Sequence, residues 1–478
     1  MKILKLQLFK IYSLLLITLI SFCNNYLIIP FTIKKPTIKT KNNLIDASEY
    51  LGYIKNNQLT TNIYIGTPEK EIEIYLTMET YDFFLGKGFC LQNPNSPYNP
   101  TFSSTYKNEA YITIFSALFS NGTQSKDNFT FYNNLSLTQN NSIGQIEFIY
   151  GIASNQIFEI IFPDIICGYL GLQFTLSTDY TEYHSLIYQL KTLSKVESKY
   201  WSILFYDEKD KINNYDGILA IGLNESDYKT FFNNDNDYNI THSAEYGYKN
   251  RFWELKFNEI YYYINKRNYS FFTDIYSQII IDYNFIICNE AYFNSTKTYF
   301  FNKYIEKGIC YIDKNETSVK TGKADTRLIN VIICDKKKFK DKKKFPTLYF
   351  KYIDFYTIFE FDYKDLFQEI GNSLIFSIVF DENNKNHWAL GRIFLKKYQF
   401  IFDNDQRTIT YIKRNNTKSK DNNKNNLSTT TILKIMLILF LLIGFGVGIF
   451  VGKKLWDKNR KKRANELADD EYDYKVND

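Results

Sequence analysis

The sequence predicts an all-β ectodomain of two lobes followed by one C-terminal transmembrane helix. Short runs of alternating apolar and polar residues recur from Leu51 to Lys413, the period-two pattern of half-buried strands. That stretch of about 360 residues exceeds what one hydrophobic core usually fills, so two lobes are expected. A single apolar run, residues 431–451, is long enough to cross a bilayer.

Taken in chain order, Met1-Lys-Ile-Leu-Lys5, an apolar run to Ile20 and the small residues Ser21 and Cys23 read as a signal peptide, residues 1–23. Residues 24–50 are Lys/Thr-rich with Pro30 and Pro36 and read as an extended lead-in or short pro-segment. The N-terminal β lobe is expected over 51–214. Its strands include Thr61-Asn-Ile-Tyr-Ile65, Glu71-Ile-Glu-Ile-Tyr-Leu76 and Tyr111-Ile-Thr-Ile114, and Ser185–Ser194 is its clearest helix. The C-terminal β lobe is expected over 215–413, with strands at Phe252-Trp-Glu-Leu-Lys-Phe257 and Thr408-Ile-Thr-Tyr-Ile412. Residues 414–430 are Asn/Lys/Ser/Thr-rich and form a polar stalk.

The span 431–451 has one charge, Lys434, near its end, where a lysine can snorkel. Lys453–Arg463 follows with seven Lys/Arg against Asp457. The positive-inside rule therefore puts the tail, 452–478, in the cytoplasm and the ectodomain in the lumen or outside the cell. The expectation is a single-pass type I membrane protein of the secretory pathway, cell surface or endolysosomal system. Gly444, Gly448 and Gly452 recur every four residues and allow a transmembrane dimer. Eleven N-x-S/T sequons precede the span, among them the glycosylation candidates Asn121, Asn128, Asn224, Asn268 and Asn315. Without the signal peptide, Cys90, Cys167, Cys288, Cys310 and Cys334 remain, an odd number. Cys310 and Cys334 bracket a polar loop and are the expected disulfide.

Composition removes several classes. The three histidines, His184, His242 and His387, are scattered without metal-ligand spacing. A zinc hydrolase or a histidine-based triad is not expected, and neither a metal nor a cofactor is called for. The run Lys336–Lys344 reads as a solvated loop, and nucleic acid is not an expected partner.

Six landmarks then occur in one order: Tyr64-Ile-Gly-Thr-Pro68, Tyr98-Asn-Pro-Thr-Phe-Ser-Ser-Thr-Tyr106, Gly168-Tyr-Leu-Gly-Leu172, Asp216-Gly-Ile-Leu-Ala-Ile-Gly222, Phe252-Trp-Glu-Leu255, and Trp388-Ala-Leu-Gly-Arg-Ile-Phe-Leu-Lys-Lys-Tyr398 with Phe402-Asp403. In these the chain resembles the pepsin-like aspartic peptidases, family A1, over residues 58–413. The resemblance implies two similar β lobes with a peptide-binding cleft between them. It also implies a catalytic pair of carboxylates, one per lobe, each written D-T-G-[ST].

That chemistry is eroded here. Like charges close together cannot both ionise, so such a pair shares one proton and divides the acid and base roles. The first lobe reads Ile74-Tyr-Leu-Thr77-Met78-Glu79-Thr80, which puts Thr77 at the first aspartate position. A threonine hydroxyl is no general base. The second lobe reads Ile279-Ile-Ile-Asp282-Tyr283-Asn284-Phe285 and retains only Asp282. The flap, a Y-G-T-G-[ST] hairpin in the family, becomes Ile114-Phe115-Ser-Ala-Leu-Phe119, with Phe115 in place of the tyrosine. Arg392 stands where the family has an aspartate. Glu79 and Asp82 are the nearest other carboxylates, and moving Glu79 into register breaks the spacing from Pro68. The expectation is an inactive or impaired protease homologue that binds an extended peptide or protein ligand, with an active aspartic endopeptidase as the alternative. A scaffold-only protein would fill the cleft with Phe115, Phe119, Tyr283 and Phe285.

Overall fold

The structure is a computed structural model. It describes residues 26–34, 58–78, 82–86, 98–112, 119–132, 140–153, 168–173, 185–206, 214–223, 238–245, 253–264, 267–317, 327–353, 356–381 and 388–414. These residues are mostly β-strand and belong to one compact unit, residues 1–415. The expected signal peptide, stalk, membrane span and tail lie outside the described residues. Among the described residues no helix is long and apolar enough to cross a membrane.

Among the described residues the strands form one 13-stranded and one 11-stranded sheet. The alternating runs read from the sequence become strands Leu59–Ile65, Lys70–Thr77, Glu254–Ile264 and Thr408–Arg414. Side chains alternate across a strand, so Ile72, Ile74 and Leu76 all turn into one core. Helix Leu186–Thr192 buries Leu186, Ile187 and Leu190 at helical spacing, as the Ser185–Ser194 pattern requires.

Two features depart from the linear reading. The lead-in is not all peripheral: Leu27–Ile33 is a strand with five of its residues buried, set between Gly217–Ile221 and Leu59–Ile65. Pro30, which argued for an extended lead-in, sits opposite Ile218, and its carbonyl accepts from the Thr61 hydroxyl at 2.7 Å. Proline removes a donor but leaves an acceptor, so the strand survives it. The division at 214/215 also does not separate the sheets. Gly217–Ile221, Tyr238–Glu245, Gln399–Asp403 and Thr408–Arg414 all belong to the first sheet, and the second is built from residues 254–390. Periodicity reveals a strand and says nothing about its partner.

The junction is aromatic and fully buried. Trp201 stacks on Phe402 at 4.2 Å, and Trp253 meets Phe402 edge-on at 5.1 Å. The Trp253 indole donates to the Leu172 carbonyl at 3.1 Å, tying the start of the second sheet to the end of the Gly168–Gly171 strand.

Candidate functional site

Two strand ends converge on one carboxylate. Strand Lys70–Thr77 runs parallel to Gly168–Gly171, with Thr77 opposite Gly171, and Thr77 is buried. Its carbonyl accepts from Leu172 N at 2.8 Å. In the second sheet, Arg267–Ile279 runs parallel to Trp388–Leu390, and the chain continues through Ile280 and Ile281 to Asp282. Each arrangement needs a glycine where backbones cross. A Cβ at Gly168 would lie 2.1 Å from the Phe84 carbonyl oxygen, and one at Gly391 would lie 2.1 Å from that of Phe285. Only a residue without a side chain fits.

Asp282 is buried, and its carboxylate is occupied from the first sheet. The Tyr75 hydroxyl donates to Oδ1, and the Met78 backbone N–H donates to Oδ2 at 3.1 Å. The Thr77 hydroxyl makes a further hydrogen bond to the same carboxylate. Gln173 holds the donor strand in place, its Nε2 donating to the Met78 carbonyl at 3.1 Å. Burial pushes the Asp282 carboxyl up, against the pull of Tyr75, Thr77, Met78 and the Arg392 guanidinium, and burial prevails. Arg392 is fully buried, so its charge acts on Asp282 through low-dielectric surroundings.

The sequence therefore brings together Thr77 and Asp282, the two residues it singled out. It did not single out Tyr75 or Met78 N–H as donors. Tyr75 was legible only as an alternation error: it is buried on the face opposite Ile74 and Leu76.

Strand pairing supplies a second correspondence between the loops. Leu170 pairs with both Leu76 and Phe83, and Leu390 pairs with both Ile279 and Ile286. Both flanking pairs are seven residues apart, so superposing the loops matches Thr77 with Ile280 and Glu79 with Asp282. This differs from the register counted from Pro68, which put Thr77 at the first aspartate position. Glu79 lies outside the described residues.

The remaining site residues separate. Phe115 lies outside the described residues, and Phe119 is described only as backbone, at the start of strand Phe119–Tyr132. Phe285 is buried among Ile280, Ile287, Val331 and Ile375, with the half-buried Tyr283 ring tilted against it at 5.1 Å. Cys310 and Cys334 are disulfide-bonded across paired strands Cys310–Thr317 and Arg327–Asp335. Cys288 is a free, buried thiol that burial pushes up. Asn268 is exposed, and Asn128 donates from Nδ2 to Thr67 Oγ1 at 3.3 Å. Asn121 and Asn315 are described only as backbone, within strands Phe119–Tyr132 and Cys310–Thr317, and Asn224, Gly444, Gly448 and Gly452 lie outside the described residues. Among the described residues no group of three His, Cys, Asp or Glu could hold a metal ion.

Another buried carboxylate, Asp127, was missed. Asp127 accepts from the Tyr98 hydroxyl at 2.7 Å, Ser103 Oγ at 3.0 Å, Thr105 Oγ1 at 2.5 Å and Asn128 N at 2.8 Å. It fastens the Tyr98–Tyr106 segment to its own strand. The signal was parity: Asp127 shares the inward face with Phe129 and Phe131.

No protein-family model matches the chain, and no curated protein matches it.

Proposed function

We propose that this chain is a single-pass membrane glycoprotein with a bilobal, pepsin-like ectodomain, an aspartic protease homologue whose hydrolytic centre is impaired. Its role is then to bind an extended peptide or to act as a scaffold. The observation that carries this reading is the state of Asp282. A catalytic carboxylate must share a proton with a second one and hold a water between them. Here the Asp282 oxygens are taken by the Tyr75 hydroxyl, the Thr77 hydroxyl and the Met78 N–H. All three are donors that hold the carboxylate in place, and none can act as a base at the pH where such enzymes work.

One observation favours the alternative, an active endopeptidase. Counted from the matched pairings at Leu170 and Leu390, Glu79 is the counterpart in sequence of Asp282 in the other loop. A glutamate there would supply the second carboxylate.

Titration of the full-length chain in neutral detergent separates the readings. The probes are a statine-type peptide, whose hydroxyl mimics the attacking water, and its analogue lacking that hydroxyl. An impaired site binds the two alike. A preference for the statine of about 100-fold or more is what a transition-state analogue shows at a working dyad. Binding of neither peptide leaves the scaffold.

A further inference from the structure

The lysine run, read from the sequence as a solvated loop, is a built surface. Phe339 and Phe345 turn inward and are 2% and 5% exposed. Phe339 packs edge-on against Tyr304 at 4.7 Å, and Phe345 against Phe300 at 4.8 Å. The backbone between them is held as well. Phe339 N donates to the Asp335 carbonyl at 2.9 Å, Lys337 N to Asp335 Oδ1 at 2.8 Å, and Lys336 N to the Asn372 carbonyl at 3.0 Å. The Tyr304 hydroxyl donates to Asp341. The Cys310–Cys334 disulfide lies one residue before Asp335, where the loop begins.

The charges on this frame divide into two sets. Lys336 and Lys342 share Glu369 at 2.7 and 2.5 Å, Lys344 pairs with Asp341 at 2.8 Å, and Lys338 reaches Asp335 at 3.6 Å. Lys337, Lys340 and Lys343 are exposed and have no ion pair among the described residues. Lys336 and Lys342 hold the Glu369 carboxyl down at about 2, so the frame keeps its charge pairing in acidic surroundings.

We propose that this loop is a docking surface for a sulfated polysaccharide, with Lys337, Lys340 and Lys343 supplying the contacts. Three features choose this partner. The loop offers ammonium groups, which bind as point charges and suit a flexible, densely charged chain. Both aromatic side chains are turned inward, which removes the stacking platform for single-stranded nucleic acid and the apolar wedge for a lipid interface. The adjoining disulfide is of the kind that persists in oxidising compartments, where polysaccharide is available and nucleic acid is scarce.

The test is elution of the full-length chain, in neutral detergent, from immobilised heparin under a salt gradient. The comparison is with a variant carrying K337Q, K340Q and K343Q, and with one in which the basic residues of 453–463 are replaced by glutamine. The loop variant should bind about tenfold more weakly and show a shallower salt dependence, since surface charge contacts are screened by salt. The tail variant should elute with the wild type. Co-elution of the loop variant with the wild type, or no retention of the wild type at low salt, overturns the proposal. So does competition by glycerophosphoserine as strong as by free heparin at equal charge, which would assign the loop to lipid headgroups. Thermal unfolding of the loop variant should match the wild type, because none of the three lysines is buried.

Discussion

The loops between Leu76 and Phe83 and between Ile279 and Ile286 are built on one plan and filled differently. Each leaves a parallel strand, spans the same number of residues and returns antiparallel to the same central strand, at Leu170 or Leu390. Crowding makes a glycine obligatory beside each: Gly391 against Tyr283 and Phe285 within the second loop, and Gly168 against Phe84 and Leu85 just past the end of the first. To their contact the first loop delivers donors, from Thr77 and Met78, while the second delivers the acceptor, Asp282. A matched frame thus persists without matched chemistry. Backbone crossing is fixed by packing, whereas the side chains that meet at the loop tips differ between the two.

The frame is the part most costly to damage. Gly391→Ala sets a methyl group against the Phe285 and Tyr283 carbonyls, and Gly168→Ala does the same against Phe84. Each should cost about 3 kcal/mol, the upper end for overpacking, read as a shift in the denaturant midpoint. An effect confined to one of the two would break the comparison.

Removing the acceptor comes next. Asp282→Ala leaves the donors Tyr75, Thr77 and Met78 facing an apolar gap, and should cost about 2–3 kcal/mol for stranded buried polar groups. Asp127→Ala strands four donors and should cost at least as much, although none of its partners touches Asp282. If Asp282→Ala proves neutral in the same unfolding assay, the carboxylate is not the latch described here.

Tyr75→Phe sharpens the point at lower cost. It removes one hydrogen bond to a carboxylate, worth about 1.5–3 kcal/mol when that group is ionised and less when it is protonated. The loss should therefore grow as the pH rises, in paired thermal melts of the variant and the wild type.

The smallest effect is on pH dependence itself. Asp282 titrates above its ordinary value in the folded chain, so between that value and the raised one the folded state holds more protons than the unfolded state. Its contribution is present at acid pH and is lost as pH rises from the ordinary carboxylate range through the raised value. Asp282→Asn should flatten that part of the stability profile. A profile unchanged by the substitution would mean that another group is responsible.

Much of this frame was legible before any coordinates. Alternation marked strands at 61–65, 71–76, 252–257 and 408–412, and the resemblance to the pepsin-like peptidases marked Thr77 and Asp282. The Leu27–Ile33 strand was hidden because its seven residues contain a proline and sit among lysines and threonines, which outweighed five apolar residues. Sheet membership was hidden because pairing is a long-range property: Gln399–Asp403 reaches back to Tyr200–Phe205 across nearly two hundred residues. The donors on Asp282 were hidden for a related reason, since the Tyr75 contact spans 207 residues. The scaffold alternative named Phe285 among the residues filling a cleft; it packs among Ile280, Ile287 and Val331 of its own sheet.

The central claim is that Asp282 has no working carboxylate partner. Peptide-library cleavage by the full-length chain between pH 3 and 7, beside Asp282→Ala and Glu79→Gln, tests it most directly. The account expects no cleavage from any of the three, with the wild type shown to be folded by a cooperative melt in the same buffers. Cleavage by the wild type that both substitutions abolish would contradict it and make Glu79 and Asp282 a catalytic pair.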